Sequence, residues 1–516
     1  MLATETLIIE LLLIVSLVAI AVRRLRVPYT VALVVVGLLI TFQQGKPIDL
    51  TAELILALFV PPLVFEAAFH IGFERLRQNL LPILILAVPG VLLTTVAVGL
   101  IVAGGVGLPL ISALLFGALI SATDPVAVVA VFRALGAPKQ LTVLVEGESL
   151  LNDGTAIVTF SLVLAATGSA AAASGYHLGS FDLLSAAVSF LWVSLGGVGL
   201  GLGLGWLISQ LISRLDDYLI ETTLTTVLAF GAYLVAERIG VSGVLAVVGA
   251  GIVAGSAGPR TMSPTTRIVL VSFWEYLAFL ANSLVFLLIG LDVNLRRVLA
   301  NLAPIAIAIL AVLFSRALVV YGLTELVNRL SRQKVSRPYQ HVLYWGGLRG
   351  AIGLALVLSL PASLAERDLL QVMAYGVVLF TLLAQGTTMQ TLLRRLGLLR
   401  KDGVTLEFER HHGKLMAARA ARDCVEKLYR DGTISATTMR QLVAELECQV
   451  QVQLEAQQEL EREHPELQVE EREQARREGL RAGRAALAAM LSDGAISEQV
   501  HDELVAEIDA SLETGV

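Results

Sequence analysis

Long apolar runs make up most of the first 400 residues, and this feature limits the possible folds more than any other. Read with a window of about 19 residues, the runs are roughly 16–28 residues long and alternate with short polar joints. A helix of about 20 residues crosses the roughly 30 Å hydrocarbon core of a bilayer. The sequence therefore predicts an all-α polytopic membrane protein with about 13 transmembrane helices. The predicted spans are residues 5–22, 28–43, 51–71, 79–103, 108–132, 140–167, 183–211, 218–237, 241–257, 268–291, 302–327, 339–360 and 369–391.

The charge distribution divides the chain into two regions. Residues 1–401 carry 25 Lys/Arg and 20 Asp/Glu, whereas residues 402–516 carry 13 and 24, which gives net charges of +5 and −11. With 56% hydrophobic and only 16% charged residues, the chain cannot be a single soluble domain or a disordered chain. The two cysteines, Cys424 and Cys448, both lie in the acidic region, so a disulfide framework or a thiolate metal site among the spans is not expected.

The cationic residues of the joints predict the topology. The first run has an acidic flank and lacks a small-residue cleavage site, so we expect it to remain as a membrane anchor. One set of alternate joints holds 18 Lys/Arg and the other holds five. Because positive joints stay in the cytoplasm, we expect an outside N-terminus and a cytoplasmic C-terminal region. Arg296 and Arg297 are the main exception.

The acidic region, residues 402–516, is predicted to be a soluble helical domain with an internal repeat. The segment DGTIS at 431–435 leads to LVAEL at 442–446, and DGAIS at 493–497 leads to LVAEI at 504–508. In each copy Gly suits a helix C-cap and Ser a helix N-cap, so each copy predicts helix, tight turn, helix. Two such hairpins would form a small four-helix module, with a regulatory role or with no role beyond packing on itself or on a second copy.

Ionisable residues inside the predicted spans indicate a transport site, because each costs a few kcal/mol to insert and needs a partner or a task. Asp124 directly precedes Pro125, which removes a backbone donor and frees carbonyl groups in mid-span. Interrupted helices of this kind expose backbone groups to ions in many transporters. The segment GGLRG at 346–350 combines small residues with Arg349 and could be a second interrupted helix facing the first.

Several oxygen-bearing side chains could form a cation site. In the predicted span 140–167, which follows the span of Asp124, helical spacing places Ser149 and Asp153 on one face, and Glu148 and Asn152 on a neighbouring face. Carboxylate, hydroxyl and carbonyl oxygens are the ligands that hard cations prefer. Asp124, Asp153, Ser149 and a freed carbonyl near Thr123 would form such a cage, to which Glu66 could add an oxygen. Alternatively the carboxylates are structural: Arg349 is the best candidate partner of Glu148, and Arg316 is expected to form a helix-packing ion pair.

Four segments resemble the monovalent cation/proton antiporters of the NhaP and animal sodium/proton exchanger type. They are VPPLVFE at 60–66, SATDPVAV at 121–128, EGESLLND at 146–153 and GGLRGA at 346–351. The resemblance implies two inverted repeats, a homodimer, and an elevator-like motion of a core bundle. It also implies that Asp153 is the carboxylate that binds Na⁺ or H⁺, with Asp124, Ser149, Thr123 and Glu66 around the ion. Asn152 would then be the neighbour found in electroneutral members, held by Glu148 and Arg349.

The sequence thus predicts an electroneutral secondary antiporter in the cell membrane that exchanges Na⁺ for H⁺ and regulates intracellular pH and sodium. It is expected to act without a cofactor and without enzymatic activity. Its partners would be monovalent cations, protons, membrane lipid and a second copy of the chain, with no nucleic acid. A K⁺/H⁺ antiporter, a gated cation channel and an intramembrane aspartyl hydrolase using Asp124 and Asp153 are the alternatives. The hydrolase is disfavoured because no second Gly-rich catalytic aspartate motif is present and because Ser149 and Asn152 suit ion ligation.

Overall fold

In a computed structural model, the chain folds into α-helices. The structure describes residues 2–25, 29–44, 52–71, 73–167, 183–214, 217–261, 264–292, 295–330, 334–398 and 402–465, and beyond these only short stretches up to residue 507. No strand occurs among these residues. The chain divides into two units, Met1–Leu399 and Arg400–Val516.

The helices of the first unit follow one another with short connections. In chain order they are α1 (Leu2–Leu25), α2 (Tyr29–Gln44), α3 (Ala52–His70), α4 (Phe73–Gln78), α5 (Leu80–Ala87), α6 (Pro89–Val106), α7 (Leu110–Ser121), α8 (Val126–Leu135), α9 (Lys139–Ala166), α10 (Leu183–Ile212), α11 (Tyr218–Ile239), α12 (Gly243–Thr261), α13 (Pro264–Asp292), α14 (Leu295–Ala300), α15 (Leu302–Leu330), α16 (Arg337–Trp345), α17 (Ala351–Leu358), α18 (Arg367–Phe380) and α19 (Thr387–Arg395). A π-helical segment, Thr381–Gly386, joins α18 to α19 without a break.

The predicted spans coincide with these helices or with consecutive pairs of them. Among the described residues, eight helical segments are long and apolar enough to cross a membrane, and four shorter helices are also apolar. The remaining predicted span, 339–360, consists of α16 and α17 with a break at 346–350. The all-helical prediction is therefore confirmed, and the helix count is roughly that expected.

Two features of the sequence have structural explanations outside the site. The glycine-rich face of α10 packs on α12, and a Cβ at Gly201 would overlap the carbonyl of Ala246, so this stretch serves close helix packing. Arg297, an exception in the charge pattern, forms an ion pair with Asp368 at 2.7 Å. The short helix α14 that carries Arg297 links α13 to α15 without altering either predicted span.

Two buried apolar clusters form the core of the first unit. One includes Phe65, Trp274 and Leu348, and the other includes Phe116 and Phe286. Ala122 and Leu348, from the breaks in the two interrupted helices, belong to the first cluster, whereas most of the buried residues of the half-helices α7 and α17 belong to the second. The polar groups of these breaks therefore lie at the boundary between two apolar cores, where each needs a hydrogen-bond partner.

In the second unit, α20 (Asp402–Arg430) and α21 (Ala436–Glu463) form a helical hairpin. The turn contains the first copy of the repeated motif. Gly432 has a positive φ of 73°, and the Ser435 side chain accepts a hydrogen bond from Thr438 N–H as the N-cap of α21. His411 and Gln453 join the two helices at 2.7 Å. Part of the second copy, including residues 493 and 494, lies outside the described residues.

Candidate functional site

Two interrupted helices meet at the centre of the site. The chain leaves the helical path between α7 and α8 at residues 122–125, and between α16 and α17 at residues 346–350. The Asp124 N–H donates a hydrogen bond to Leu348 O at 2.8 Å, which joins the two breaks. A Cβ at Gly350 would overlap the Asp124 side chain, so this close approach requires glycine. The predicted second interrupted helix is confirmed, and it faces the first.

Three charged side chains satisfy the ends of the four half-helices. Arg349 Nη1 donates to Ser121 O at 2.7 Å and to Ala122 O at 3.2 Å, at the C-terminal end of α7. Arg316 donates from Nε and Nη2 to Leu343 O, in the last turn of α16. A positive charge near a helix C-terminus and a negative charge near an N-terminus are both stabilising. The two arginines therefore occupy the electrostatically favourable ends.

The carboxylate of Asp124 serves the two opposite ends. Its Oδ1 accepts from Val126 N–H at 2.9 Å, at the start of α8, and the carboxylate also accepts a hydrogen bond from Ala351 N–H, at the start of α17. Both interactions are with helix N-termini, where free N–H groups and the helix dipole favour an anion. Asp124 was predicted as an ion ligand from sequence, and the structure adds a cap on both half-helices.

The partner of Glu148 is Arg316 and not Arg349. Both Glu148 carboxylate oxygens accept from the Arg316 guanidinium, Oε1 from Nη1 and Oε2 from Nη2, the latter at 3.0 Å. The side chains are 2% and 9% exposed, so the pair is buried. The expected Glu148–Arg349 pair is therefore wrong, whereas the ion-pairing role expected of Arg316 is confirmed. Arg349 does not pair with Glu148 because its guanidinium binds the freed carbonyls at the end of α7, the kind of group that the sequence analysis considered as a cation ligand.

Thr123 connects the first break to α9. Its Oγ1 lies 3.0 Å from Ser149 Oγ and accepts from Asn152 Nδ2 at 2.6 Å, while its N–H donates to Asn152 Oδ1 at 3.2 Å. All three side chains are buried. The Asn152 amide thus binds both the backbone N–H and the hydroxyl of Thr123, and α9 fixes the break through two polar side chains three residues apart, Ser149 and Asn152.

Asp153 differs from the other buried charges of the site. It is half-buried, and no group among the described residues donates a hydrogen bond to its carboxylate. It lines a cavity of about 800 Å³ together with Thr123, Asp124 and Glu66. Four of the five predicted ligands therefore share one cavity. Ser149 is not part of its lining and lies behind Thr123 instead.

Two residues that the sequence analysis did not select extend the acidic lining of this cavity. His70 Nδ1 lies 3.2 Å from Glu66 Oε1, and its Nε2 lies 3.7 Å from Glu275 Oε1 on α13. The spacing of Glu66 and His70, four residues apart on α3, was a signal that could have been read. Glu275 had no such signal, because only the packing of α13 on α3 brings it to His70.

Among the described residues, no group of three or more His, Cys, Asp or Glu side chains is arranged to hold a metal ion. A cation in the cavity would instead meet carboxylates together with the hydroxyl of Thr123. Mixed oxygen ligands of this kind suit hard monovalent cations that are bound and released as cargo.

Comparison with known proteins agrees with this geometry. Residues 11–395 match the family model described as sodium/hydrogen exchanger, transmembrane. The Na⁺/H⁺ antiporter ApNhaP of Aphanothece halophytica is 43% identical over 403 residues, which cover 78% of this chain and 75% of that protein. The low-affinity Na⁺/H⁺ antiporter NhaS1 of a Synechocystis species is 41% identical over 409 residues, with coverage of 78% and 76%.

A solved structure shows the same fold. The sodium proton antiporter MjNhaP1 of Methanocaldococcus jannaschii superposes with a TM-score of 0.64 at 22% sequence identity, over 77% of this chain and 99% of that one. The family model covers the interrupted helices, α9 and the cavity described above. The chain is a multi-pass membrane protein and belongs to the sodium/hydrogen exchanger family.

Proposed function

We propose that the protein is a secondary antiporter that exchanges Na⁺ for H⁺ across the cell membrane, with Asp153 as the group that binds either ion. Its relatives ApNhaP and NhaS1 are named as Na⁺/H⁺ antiporters, which supports the pair of ions. The observation that carries the proposal for Asp153 is its carboxylate, which lines the cavity and receives no hydrogen bond from the described residues.

Asp153 suits this task because the other buried charges already have partners. Glu148 is paired with Arg316, Asp124 caps two half-helices, and Arg349 binds the carbonyls of α7. Moving an uncompensated carboxylate through an apolar barrier is costly. Asp153 therefore crosses only when Na⁺ or H⁺ neutralises it, and this requirement couples the two ions without ATP.

The surrounding residues have two kinds of role in this proposal. Asp124, Thr123 and Glu66 supply oxygen atoms from the cavity wall, and Ser149 acts on the ion through its contact with Thr123. Asn152, Glu148 and Arg349 support the site. Asn152 fixes Thr123, while the arginine contacts hold the interrupted helices in place.

The remaining features of the proposal concern the whole assembly. The cationic joints favour an outside N-terminus and a cytoplasmic acidic domain at residues 402–516. The transmembrane exchange domain comprises residues 1–401. The two inverted repeats and the homodimer rest on the family resemblance. In this arrangement the acidic domain regulates exchange, since every candidate ligand lies before residue 392.

Transport in proteoliposomes tests the proposal. The purified full-length chain is reconstituted with a pH-sensitive dye inside, the vesicle lumen is made acidic relative to the medium, and Na⁺, K⁺ or Li⁺ is added outside in turn. Na⁺ should dissipate the gradient, and Asp153→Asn, which keeps the size of the side chain, should give no signal. Dissipation by K⁺ alone would make the protein a K⁺/H⁺ antiporter, and cation flux that continues without proton movement would indicate a channel.

A further inference from the structure

Arg349 is fully buried but uses only part of its hydrogen-bonding capacity. Its Nη1 binds the two carbonyls of α7, whereas Nε and Nη2 have no partner among the described residues. A guanidinium has five N–H donors in a fixed planar fork. Leaving donors of a buried charge unpaired is costly, so an acceptor is required on the side of Arg349 that faces away from α7.

The π-helical stretch Thr381–Gly386 contacts the second break at Arg349 and at its neighbour Leu348. The Arg349 backbone N–H donates to Thr381 Oγ1 at 3.2 Å, and a Cβ at Gly386 would be 3.8 Å from Leu348 Cδ1. Gln385 lies between these two contact points in sequence, one turn beyond Thr381. π-helical turns inside longer helices are frequent at functional sites.

Gln385 offers the complementary group. Its side chain is 2% exposed, and its Oε1 has no hydrogen-bond partner among the described residues. An amide oxygen accepts two hydrogen bonds, which equals the number of unpartnered donor nitrogens on Arg349. The unpartnered donors of Arg349 and the unpartnered acceptor of Gln385 are thus both buried, and they lie on segments that contact each other.

We propose that Gln385 is a positioning residue for ion exchange: its Oε1 accepts from Nε and Nη2 of Arg349, directly or through one bridging water, and holds the guanidinium on the carbonyls of Ser121 and Ala122. Ala122 immediately precedes Thr123, whose hydroxyl contacts Ser149 and Asn152. The chain of contacts therefore runs from the π-helical segment to the cavity wall beside Asp153. This inference rests on the proposed exchange activity.

The test compares three variants of the full-length chain in proteoliposomes. Gln385→Leu removes the acceptor at similar volume and should weaken apparent Na⁺ affinity about tenfold, the factor that corresponds to one hydrogen bond to a charged group. Gln385→Glu keeps an acceptor that can pair with Arg349 and should stay within about twofold of the parent protein. Gln371→Leu is the matched control, because Gln371 is also a buried glutamine of this span but contacts Val357 O. It should behave as the parent protein.

Parent-like Na⁺ affinity in Gln385→Leu would overturn the inference, and so would equal damage in the Leu and Glu variants, since packing alone would then explain Gln385. If the Leu variant does not fold, the Glu variant decides: retained exchange supports pairing with Arg349, and lost exchange contradicts it. If the parent protein does not exchange Na⁺ for H⁺, the proposed function is wrong, but the contact between Gln385 and Arg349 can still be tested. Greater heat stability of the Glu variant than of the Leu variant would then support that contact.

Discussion

The buried pair of Glu148 and Arg316 allows a quantitative test of which arginine neutralises Glu148. The perturbation is Glu148→Leu, Arg316→Met and the combination of both, which replaces charged groups by apolar side chains of similar size. Breaking a buried ion pair by removing one partner costs about 3–5 kcal/mol, because the other charge is left uncompensated. Replacing both partners by apolar residues is often close to neutral.

The structure makes the two single variants unequal. Glu148→Leu strands only the guanidinium, whereas Arg316→Met strands the carboxylate and also removes the hydrogen bonds to Leu343 O. An unsatisfied buried carbonyl adds about 1–3 kcal/mol. We therefore expect losses of about 4 kcal/mol for Glu148→Leu and about 6 kcal/mol for Arg316→Met, but only about 2 kcal/mol for the double variant.

The assay is the apparent melting temperature of the purified protein in detergent, with the yield of monodisperse protein as a second measure. The double variant should be more stable than either single variant. Glu148→Leu combined with Arg349→Met is the control. Rescue should be much smaller there, because Arg349 feels the charge of Glu148 but forms no hydrogen bond with it. Rescue of Glu148→Leu by Arg349→Met, with no rescue by Arg316→Met, would refute the pairing described above.

Three further predictions concern transport. If Na⁺ and H⁺ compete for Asp153 as proposed, apparent Na⁺ affinity should weaken as pH falls and activity should pass through a maximum. Initial rates over a grid of Na⁺ concentration and pH would show this, and an apparent Na⁺ affinity that stays constant over about two pH units would contradict the competition. Exchange should be insensitive to membrane voltage, because Asn152 leaves one titrating carboxylate at this position, and acceleration of Na⁺ uptake by an imposed potential would argue against this. A chain ending at Lys401 should still exchange Na⁺ for H⁺, with an altered pH dependence; complete loss of exchange in a folded, inserted truncation would show that the acidic domain is needed for transport itself.

The position of the interrupted helices could be predicted from sequence because their causes are local. Pro125 lacks an N–H, and Gly346 and Gly347 lie beside a charged residue within an apolar run, so each break is marked by its own residues. The ligand candidates followed from the same reasoning, since Asp124 and Asp153 carry charge at membrane depth. The cavity that Asp153, Asp124, Thr123 and Glu66 share agrees with that expectation, and their roles in ion binding stay predictions.

The pairing of charges could not be predicted in the same way. Glu148 had two arginines within reach on other spans, and hydropathy gives neither the relative depth nor the rotation of neighbouring helices. The capping role of Asp124 on α17 depends on an approach between residues far apart in the chain, which the sequence pattern does not contain. The links from His70 to Glu275 and from Arg349 to Thr381 were missed for the same reason.

The junction between the two breaks also has a consequence for biogenesis. The N–H of Asp124 binds Leu348 O, so the first break acquires its partner only after more than 200 further residues have been synthesised and inserted. Until then Arg349 is absent, so the carbonyls of Ser121 and Ala122 have no guanidinium to bind. The first turn of α8 likewise has no second break to pack against. Ribosome-bound intermediates that end before residue 346 should therefore be sensitive to proteolysis around residues 121–126, and protection should appear only once α17 has left the ribosome.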